Sequence, residues 1–433
     1  MSPGLRLLAS STRPLSTHYS DALAHEWRQR RRQAESSCHR FAQLCRWDAR
    51  IQAYLEAFAL LGHAGSERAH DRLQAPISEG ELFALSSQAL IVRNRPLAQA
   101  CIGLVQAMPK FYEVFTSALE WVDWPSVEFA LGLWPADDPA RQALVLRSIA
   151  SHDLAVDPTD IDCCVSRLSP MPMVQMSALR CALMTGEAGW AARSCDWVDA
   201  SCPPDLRLAA AEARIVFSVD ATRYDALRVL RELALGLGPS AAIATRELMT
   251  LGGNEADQLL EALATDPSRV RQYIAAMGWS GRLAHLPHLA NLLDDPTHAR
   301  VAGAALTTLT GSDAQADGWV NEQEVPPAAA DPSSDCIPPV DPDTELPHPD
   351  RAGFAKWWNT RREQYAPAQP YLAGHPRSSS DLITVLHEGR LAHRPQASWL
   401  MQVASGGKRL AHTAPAPRQQ AQIFQLKEAL RCG

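Results

Sequence analysis

Residues 266–295 read DPSRVRQYIAAMGWSGRLAHLPHLANLLDD, and this stretch decides the fold class. Asp266 followed by Pro267 is typical of a helix start, because an aspartate cap is followed by proline in the first turn. The apolar residues then recur at the spacing of one helix face, at Val270, Tyr273, Ile274 and Met277. Gly278 is placed to end this helix. The pattern predicts an amphipathic helix of about three turns.

The same punctuation continues beyond this helix. Leu286, Leu289 and Leu293 predict the apolar stripe of a second short helix. Asp295 and Pro296 then start a third helix, whose stripe is Val301, Ala305 and Leu309. Two consecutive helices of this kind form a helix–turn–helix unit.

Proline-led helix starts recur along the chain at steps of about 30 residues, as in helical repeat proteins. They lie at Pro139, Pro170, Pro204, Pro239, Pro267 and Pro296. One hairpin cannot cover its own apolar stripe, so neighbouring units must share a core. The sequence therefore predicts an all-α fold, an α–α superhelix of stacked repeats over residues 65–311.

The chain before the repeats has another character. Residues 1–19 are predicted to be a disordered leader, and residues 20–64 a helical cap on the array. RFAQLCRWDARIQAYLEAFALLG, residues 40–62, reads as one long helix ended by Gly62, and the basic stretch HEWRQRRRQ precedes it. Terminal repeats need such an atypical outer face because nothing stacks beyond them.

Residues 312–350 contain ten Asp or Glu, eight prolines and no Lys or Arg. This composition predicts a solvated acidic linker, since prolines cannot continue a helix and few apolar residues are available for a core. Residues 351–433 are predicted to form a small helical region. Its expected helices are Ala352–Tyr365, Ser380–Glu388 and Gln419–Leu430.

Composition limits the classes of function. Hydrophobic residues make up 46% of the chain, charged residues 21%, and the formal net charge is −7. An acidic chain repels nucleic-acid phosphates on average, so a nucleic-acid partner is disfavoured. Ten cysteines occur without a CxxC pair, and Cys101 and Cys181 lie in apolar patterns. Reduced core cysteines and the lack of a long apolar run predict a cytoplasmic protein that does not insert in membranes.

Candidate sites for metal chemistry are weak. His285 and His288 could share an ion, but no further zinc ligand lies at a convincing spacing. The acidic stretch lacks the turn glycine and the fixed offsets of a calcium loop. It holds Asp331, Asp335, Asp341, Asp343 and Glu345. No metal, cofactor or catalytic residue is predicted, and phosphate-binding, dinucleotide-binding and nucleophile-elbow motifs do not occur in the sequence.

Two further features are open to more than one interpretation. The basic run RQRRR at residues 28–32 fits a solvated helix face better than a nucleic-acid patch, because Glu26 and Glu35 flank it. Trp357 and Trp358 are adjacent on a predicted helix and point about 100° apart. Domain packing is the ordinary interpretation of this pair, and a partner-binding hot spot is the sharper one.

The repeats resemble HEAT repeats of the short kind found in bacterial PBS-lyase-type proteins. The order of parts over about residues 20–400 resembles an uncharacterised bacterial family encoded beside type VI secretion genes. That order is a long helix, repeats, TLTG…ADGW, an acidic linker, a WW helix and PYLAGHP. The resemblance implies an accessory or adaptor protein that binds an effector, spike-tip or baseplate component, with no carried-over site residues. The alternatives are a secreted effector or nucleic-acid-acting enzyme on a HEAT scaffold, and an immunity protein that occludes a toxin.

Overall fold

The structure is a computed structural model that describes residues 3–34, 36–66, 69–154, 171–190, 197–218, 221–321 and 343–432. These residues are mostly helical and contain a single two-stranded hairpin. The predicted all-α class is therefore confirmed. None of the described helices is long and apolar enough to cross a bilayer.

The chain divides into two compact units. Unit 1 comprises Met1–Arg223 and Gln402–Gln425, and unit 2 comprises Tyr224–Met401 and Leu426–Gly433. The described helices of unit 1 are α1 Pro3–Gln33, α2 Phe41–Ser66, α3 Glu79–Ile91, α4 Arg95–Ala107, α5 Tyr112–Trp121, α6 Trp124–Leu131, α7 Pro139–Ser151, α8 Pro172–Thr185 and α9 Pro204–Phe217.

Unit 2 contains α11 Pro239–Leu251, α12 Asn254–Ala264, α13 Val270–Ser280, α14 Leu286–Asn291, α15 Ala299–Thr310, α16 Arg351–Arg361 and α17 Ser379–Glu388. Its hairpin pairs β1 Tyr371–Leu372 with β2 His375–Pro376 in antiparallel register. Three further helices have residues in both units: α10 Ala221–Ala234, α18 Arg394–Ser405 and α19 Ala416–Cys432.

Helices of unit 1 pack on their next-but-one neighbours at the start of the chain. α1 contacts α3, α3 contacts α5 and α5 contacts α7, while α2 packs against both α1 and α3. The row continues through α7, α8 and α9. Trp27 and Phe83 stack at 4.9 Å between ring centroids in the shared core of α1 and α3. Large aromatic rings therefore fill the space between successive helices.

Unit 2 shows the same next-but-one packing of helices, and residues 266–295 lie within it. α11 contacts α13 and α13 contacts α15, while α12 packs against α11 and α13, and α14 packs against α15. Ile274 and Met277 are buried, and Val270 and Tyr273 pack against the same core. The Asp266 carboxylate accepts a hydrogen bond from the Ser268 N–H at 2.9 Å and caps the 3₁₀ turn Pro267–Arg269, which leads into the α-helix that begins at Val270. The predicted stripe is confirmed.

Gly278 does not end α13. The helix runs on to Ser280 and ends at Gly281, which has a left-handed φ of +72°. A Cβ atom at Gly278 would lie 2.8 Å from the Cα of Ala305 on α15. This glycine is therefore required by the close approach of two helices, which its position in the sequence pattern does not reveal.

The N-terminal segment also differs from the prediction. α1 begins at Pro3, so residues 3–19 are helical where a disordered leader was expected. The end of this segment contacts α2: Ser16 Oγ donates to the Gly65 carbonyl at 2.6 Å, and the ring centroids of Tyr19 and Tyr54 lie 6.0 Å apart. Gly62, the predicted end of this helix, has non-helical backbone dihedrals with φ +55°. The helix continues beyond this kink, and α2 ends at Ser66.

Both described ends of the predicted linker are folded. Trp319 is buried and packs edge-on against Phe354. Asp350 N–H donates to the Trp319 carbonyl at 2.6 Å, and Asn321 N–H donates to the His348 carbonyl at 2.8 Å. The two ends therefore pair with each other, in contrast to the solvated spacer that composition predicted.

Residues 322–342 lie outside the described part of the chain, together with the predicted acidic residues Asp331, Asp335 and Asp341. The predicted helix start at Pro170 lies outside it as well.

The C-terminal helices match the prediction in part. The expected helices near residues 352–365, 380–388 and 419–430 correspond to α16, α17 and α19, each with shifted ends. The sequence missed α18, whose polar residues Gln396, Ser398 and Gln402 are buried. Because these polar residues are buried, polarity does not mark the exposed face of this helix, which is the pattern by which amphipathic helices are recognised.

Candidate protein-binding groove

An open groove lies along the row of helices in unit 2. Its cavity volume is about 520 Å³, and it is bounded by the loop after α10, the start of α11, one face of α13 and Val301 of α15. Arg271, Ala275 and Trp279 line it from α13 at intervals of four residues, which places them on one face of the helix. The stacking of α11 on α13 therefore creates the groove.

The groove is mainly apolar. Ala241 and Ala242 of α11 line one wall, and Ala275, Trp279 and Val301 line the other. Leu237 at the rim is 90% exposed, although it is a large aliphatic residue. An exposed leucine next to a half-buried tryptophan is typical of a surface that binds protein side chains.

Polar contacts make the rim rigid. Arg269 donates to the Leu235 carbonyl at 2.6 Å and to Asp266 at 3.1 Å. Gln272 donates to the Ala234 carbonyl at 2.8 Å and to the Thr245 hydroxyl at 2.7 Å. These side chains satisfy carbonyls at the end of α10, where the helix has no backbone donors left. The loop that carries Leu237 is therefore held in place by α13.

One rim contact comes from the end of the predicted linker. Arg271 donates to both carboxylate oxygens of Asp343, at 2.9 and 2.6 Å. Arg300 donates to the main-chain carbonyl of the same aspartate at 2.9 Å. The sequence offered Asp343 only as a weak candidate ligand for a cation. In the structure, Arg271 binds its carboxylate and Arg300 binds its main-chain carbonyl.

The C-terminal ends of α11, α13 and α15 are covered by Arg377 and by the hairpin. Arg377 donates to the Thr250 carbonyl at the end of α11 and to the Trp279 carbonyl near the end of α13, the latter at 2.8 Å. The hairpin continues the pattern, because Tyr371 N–H donates to the Gly281 carbonyl at 2.9 Å and Ala373 N–H to the Thr308 carbonyl at 2.6 Å. These donors satisfy the free carbonyls of the helix ends.

Unit 1 has an analogous covered edge, formed by residues 402–419, here called the return segment. Arg418 donates to the Ser151 carbonyl at 3.0 Å and to the Val122 carbonyl at 3.5 Å. Arg409 N–H donates to the Leu183 carbonyl at 3.1 Å, and Lys408 pairs with Asp153 at 3.0 Å. Positive charge at helix C-termini is favourable because the helix dipole is negative there.

The basic run at residues 28–32 also meets the return segment. Arg30 is buried and donates to both carboxylate oxygens of Asp48, at 2.7 and 3.2 Å, and to the Ala414 carbonyl at 2.9 Å. Asp48 in turn accepts from the Ala416 N–H at the start of α19, at 2.6 Å. Arg31 pairs with Glu79 near the surface. Two of these arginines therefore make internal contacts.

A group of titratable residues surrounds Glu120 in unit 1. Burial raises the pKa of Glu120, although the charges of Arg147, Arg30 and Arg418 oppose the shift. The arginines are engaged elsewhere: Arg147 binds Glu113 with two hydrogen bonds of 2.6 and 2.8 Å. The cluster is the described feature that most resembles a reactive site, because it holds a carboxyl group of perturbed pKa.

His152 belongs to the same cluster and is held neutral. Its Nε2 lies 3.0 Å from the Leu119 carbonyl, and its Nδ1 lies 3.2 Å from an Nη2 of Arg418. Because the Leu119 carbonyl can only accept a hydrogen bond, Nε2 carries the proton. Nδ1 is then unprotonated and accepts a hydrogen bond from Arg418. Burial and the Arg418 charge lower the pKa of His152 to about 4, against the opposing effects of the hydrogen bond to the Leu119 carbonyl and of the Asp123 charge.

The lowered pKa of His152 makes the stability of the folded protein depend on pH. Between pH 6.5 and pH 4 the unfolded chain protonates His152 and the folded protein does not. We expect the free energy of unfolding to fall over this range by at most about 1.4 kcal/mol per pH unit from this group. Urea denaturation of the wild type and His152→Gln at pH 7 and pH 5 measures it. The variant should show a smaller loss of stability, and equal losses would contradict the assignment.

The predicted histidine pair is not joined by a third ligand among the described residues, where no group of three or more potential metal ligands is found. His288 lies edge-on to Tyr273, with 6.0 Å between ring centroids. Burial, followed by the charge of Arg282, lowers the pKa of His285. The His285 ring is therefore partly buried, while the exposed His288 ring contacts Tyr273.

Trp357 and Trp358 are both partly buried and belong to a chain of aromatic rings. Trp357 stacks on Phe354 at 5.9 Å, and Trp358 lies 5.1 Å from Tyr365. Tyr365 donates to the Thr310 carbonyl at 2.8 Å, which fixes this chain on the end of α15. The two rings therefore share a half-covered position.

Comparisons with family models, with curated proteins and with solved structures found no match to this chain. The groove and its contacts are therefore the basis for inferring function. Leu237 was not singled out in the sequence, although its position between two glycines, GLG at residues 236–238, was a visible signal of a leucine in a loop. The Arg271–Asp343 pair had no such signal, because its residues are 72 positions apart.

Proposed function

We propose that this protein is a non-catalytic, protein-binding scaffold of the HEAT-like α-solenoid type, and that the groove of unit 2 holds a segment of its partner. The observation that supports this most directly is the open apolar groove with Trp279 in its wall and Leu237 exposed at its rim. Interfaces concentrate their binding energy in such apolar and aromatic positions.

The packing order of the helices supports the solenoid part of the proposal. In unit 2 each helix of the row α11, α13 and α15 contacts the next, with α12 packed against two of them. Stacked hairpins of this kind present long surfaces that suit extended segments of other proteins. The resemblance noted in the sequence suggests the partner class, an effector, spike-tip or baseplate component of a type VI secretion system.

Replacing Leu237 with aspartate should weaken partner capture at least tenfold, because a charge at the rim must then be desolvated on binding. The measurement is a pulldown from the native host with tagged full-length protein, followed by mass spectrometry. A component of the secretion locus should be enriched with the wild type and lost with Leu237→Asp.

Leu60→Asp is the matched control, since Leu60 is 89% exposed and Leu237 is 90% exposed. It changes the same residue type at nearly the same exposure, and Leu60 does not line the groove, so capture should be retained. If no secretion-locus protein is enriched, the partner class is wrong. If both variants capture as well as the wild type, the groove does not bind the partner.

The second candidate is a nucleic-acid-acting enzyme, supported by Glu120 and its arginine neighbours. The engagement of Arg30 with Asp48 and of Arg147 with Glu113 favours a structural charge network instead. Gel retardation with single- and double-stranded DNA at low and high salt separates the two. Binding that falls steeply with salt and is lost in Arg147→Ala would favour the enzyme.

A further inference from the structure

The rim of the groove already holds a peptide segment of the chain itself. Asp343 is 4% exposed and lies in the stretch DTELPHPD, residues 343–350. Arg271 binds its carboxylate with two hydrogen bonds, and Arg300 binds its main-chain carbonyl at 2.9 Å. The two arginines thus recognise both the side chain and the backbone of one acidic residue.

This geometry is specific for a carboxylate. The planar guanidinium of Arg271 donates to both oxygens of Asp343, an arrangement that a neutral side chain cannot reproduce. The Arg271 side chain is 45% exposed, whereas Asp343 is buried, so solvent reaches the guanidinium but not the carboxylate that it holds.

The same arginine is part of the groove wall, and this links the acidic position to the apolar one. Arg271 and Trp279 are eight residues apart on one face of α13, which corresponds to about 12 Å along the helix axis. An extended peptide spans that distance with three to four residues, at about 3.3 Å each. A segment that lies along α13 and places a carboxylate on Arg271 therefore brings an apolar residue three or four positions away to Trp279.

We propose that Arg271 and Arg300 form an acidic-residue subsite of the groove, and that Asp343 occupies it in the free protein as an internal competitor. The ligand is an extended segment of a partner protein with Asp or Glu three to four positions from a large apolar residue. This inference rests on the proposed function and names the class of segment that the groove takes. Asp343 tunes the affinity, because a tethered competitor has a high effective concentration.

The test uses a synthetic peptide with the sequence of residues 343–350 as the probe. A fluorescein-labelled peptide DTELPHPD, with its acid and leucine three positions apart, is titrated with full-length protein in a fluorescence anisotropy assay. Asp343→Ala should bind this peptide at least tenfold more tightly than the wild type. Asp343→Ala combined with Arg271→Ala should lose the gain.

Two controls make the result specific. The peptide NTELPHPD, which lacks the carboxylate, should bind Asp343→Ala at least tenfold more weakly than DTELPHPD. Glu345→Ala changes an exposed acid of the same segment and should bind the probe as weakly as the wild type. Asp343→Asn serves as a second, nearly isosteric variant if Asp343→Ala has lost its helical circular dichroism.

The outcomes separate this inference from the proposed function. If the folded Asp343 variants bind the probe no more tightly than the wild type, or bind the NTELPHPD peptide equally well, the acidic subsite is wrong. Partner capture that remains sensitive to Leu237→Asp would then still support the scaffold. If capture is insensitive to Leu237→Asp while the probe binds as expected, the groove recognises this segment but is not the partner site.

Discussion

Replacing Asp48 with alanine should lower the free energy of unfolding by about 3–5 kcal/mol, the effect expected when one partner of a buried ion pair is removed. Arg30 is 7% exposed and Asp48 is 1% exposed, so the remaining guanidinium would keep its charge without its main counterion. The Ala416 N–H would also lose its acceptor at the start of α19. Urea denaturation at pH 7 measures the change.

Two comparisons test the cause. Glu79→Ala removes the surface partner of Arg31 and should lower stability by less than about 1 kcal/mol. The double variant Arg30→Met/Asp48→Leu removes both charges and should recover much of the loss, since an apolar pair needs no charge compensation. A loss of less than 1 kcal/mol for Asp48→Ala would show that Arg30 finds another counterion or reaches solvent.

Replacing Gly311 with alanine should lower the free energy of unfolding by about 2–4 kcal/mol, from backbone strain and a steric clash together. Gly311 ends α15 with φ +69°, a conformation that alanine adopts at a cost. A Cβ atom there would also lie 2.1 Å from the Ala373 carbonyl oxygen. The hairpin that covers the helix ends would have to move away.

Gly318→Ala is the matched control for this substitution. Gly318 has φ +71°, and no atom lies within 4 Å of the position that a Cβ would take. It therefore isolates the cost of the left-handed backbone, about 1–2 kcal/mol. If the two variants are equally destabilised in thermal or urea unfolding, the hairpin does not press on Gly311 as the structure describes.

The helices of the decisive stretch could be predicted because their signals are local. The spacing of Ile274 and Met277 fixes a buried stripe within one helix, and Asp266 caps the 3₁₀ turn that leads into that helix. Helical periodicity and capping depend only on neighbours along the chain. The all-α class follows from repeating these signals.

Three of the errors involve contacts between distant residues. Gly278 was taken as a helix end because nothing local reveals that Ala305 lies against it. Residues 312–321 were assigned to a linker on composition, although Trp319 packs on Phe354, 35 positions later in the sequence. Arg30 was counted with a solvated run, while its partner Asp48 lies on another helix.

The candidate site was beyond sequence reasoning for the same reason. The groove needs residues of α11, α13 and α15 together with the loop at Leu237, and only the packing of these helices defines its walls. Asp343 was recognised as acidic, but its arginine partners lie 72 and 43 residues earlier. Periodicity predicts that a helix has a buried face and leaves open what its other face binds.

The return segment has a consequence for how the chain is made. The carbonyl of Val122 leaves the ribosome long before its donor Arg418, which follows 296 residues later. At translation rates of about 5–20 residues per second, this delay is on the order of 15–60 s. During that interval, water must solvate the helix ends of a nascent unit 1. Pauses in translation of residues 224–401 would prolong this exposure, so synonymous codon changes there should alter the yield of native protein.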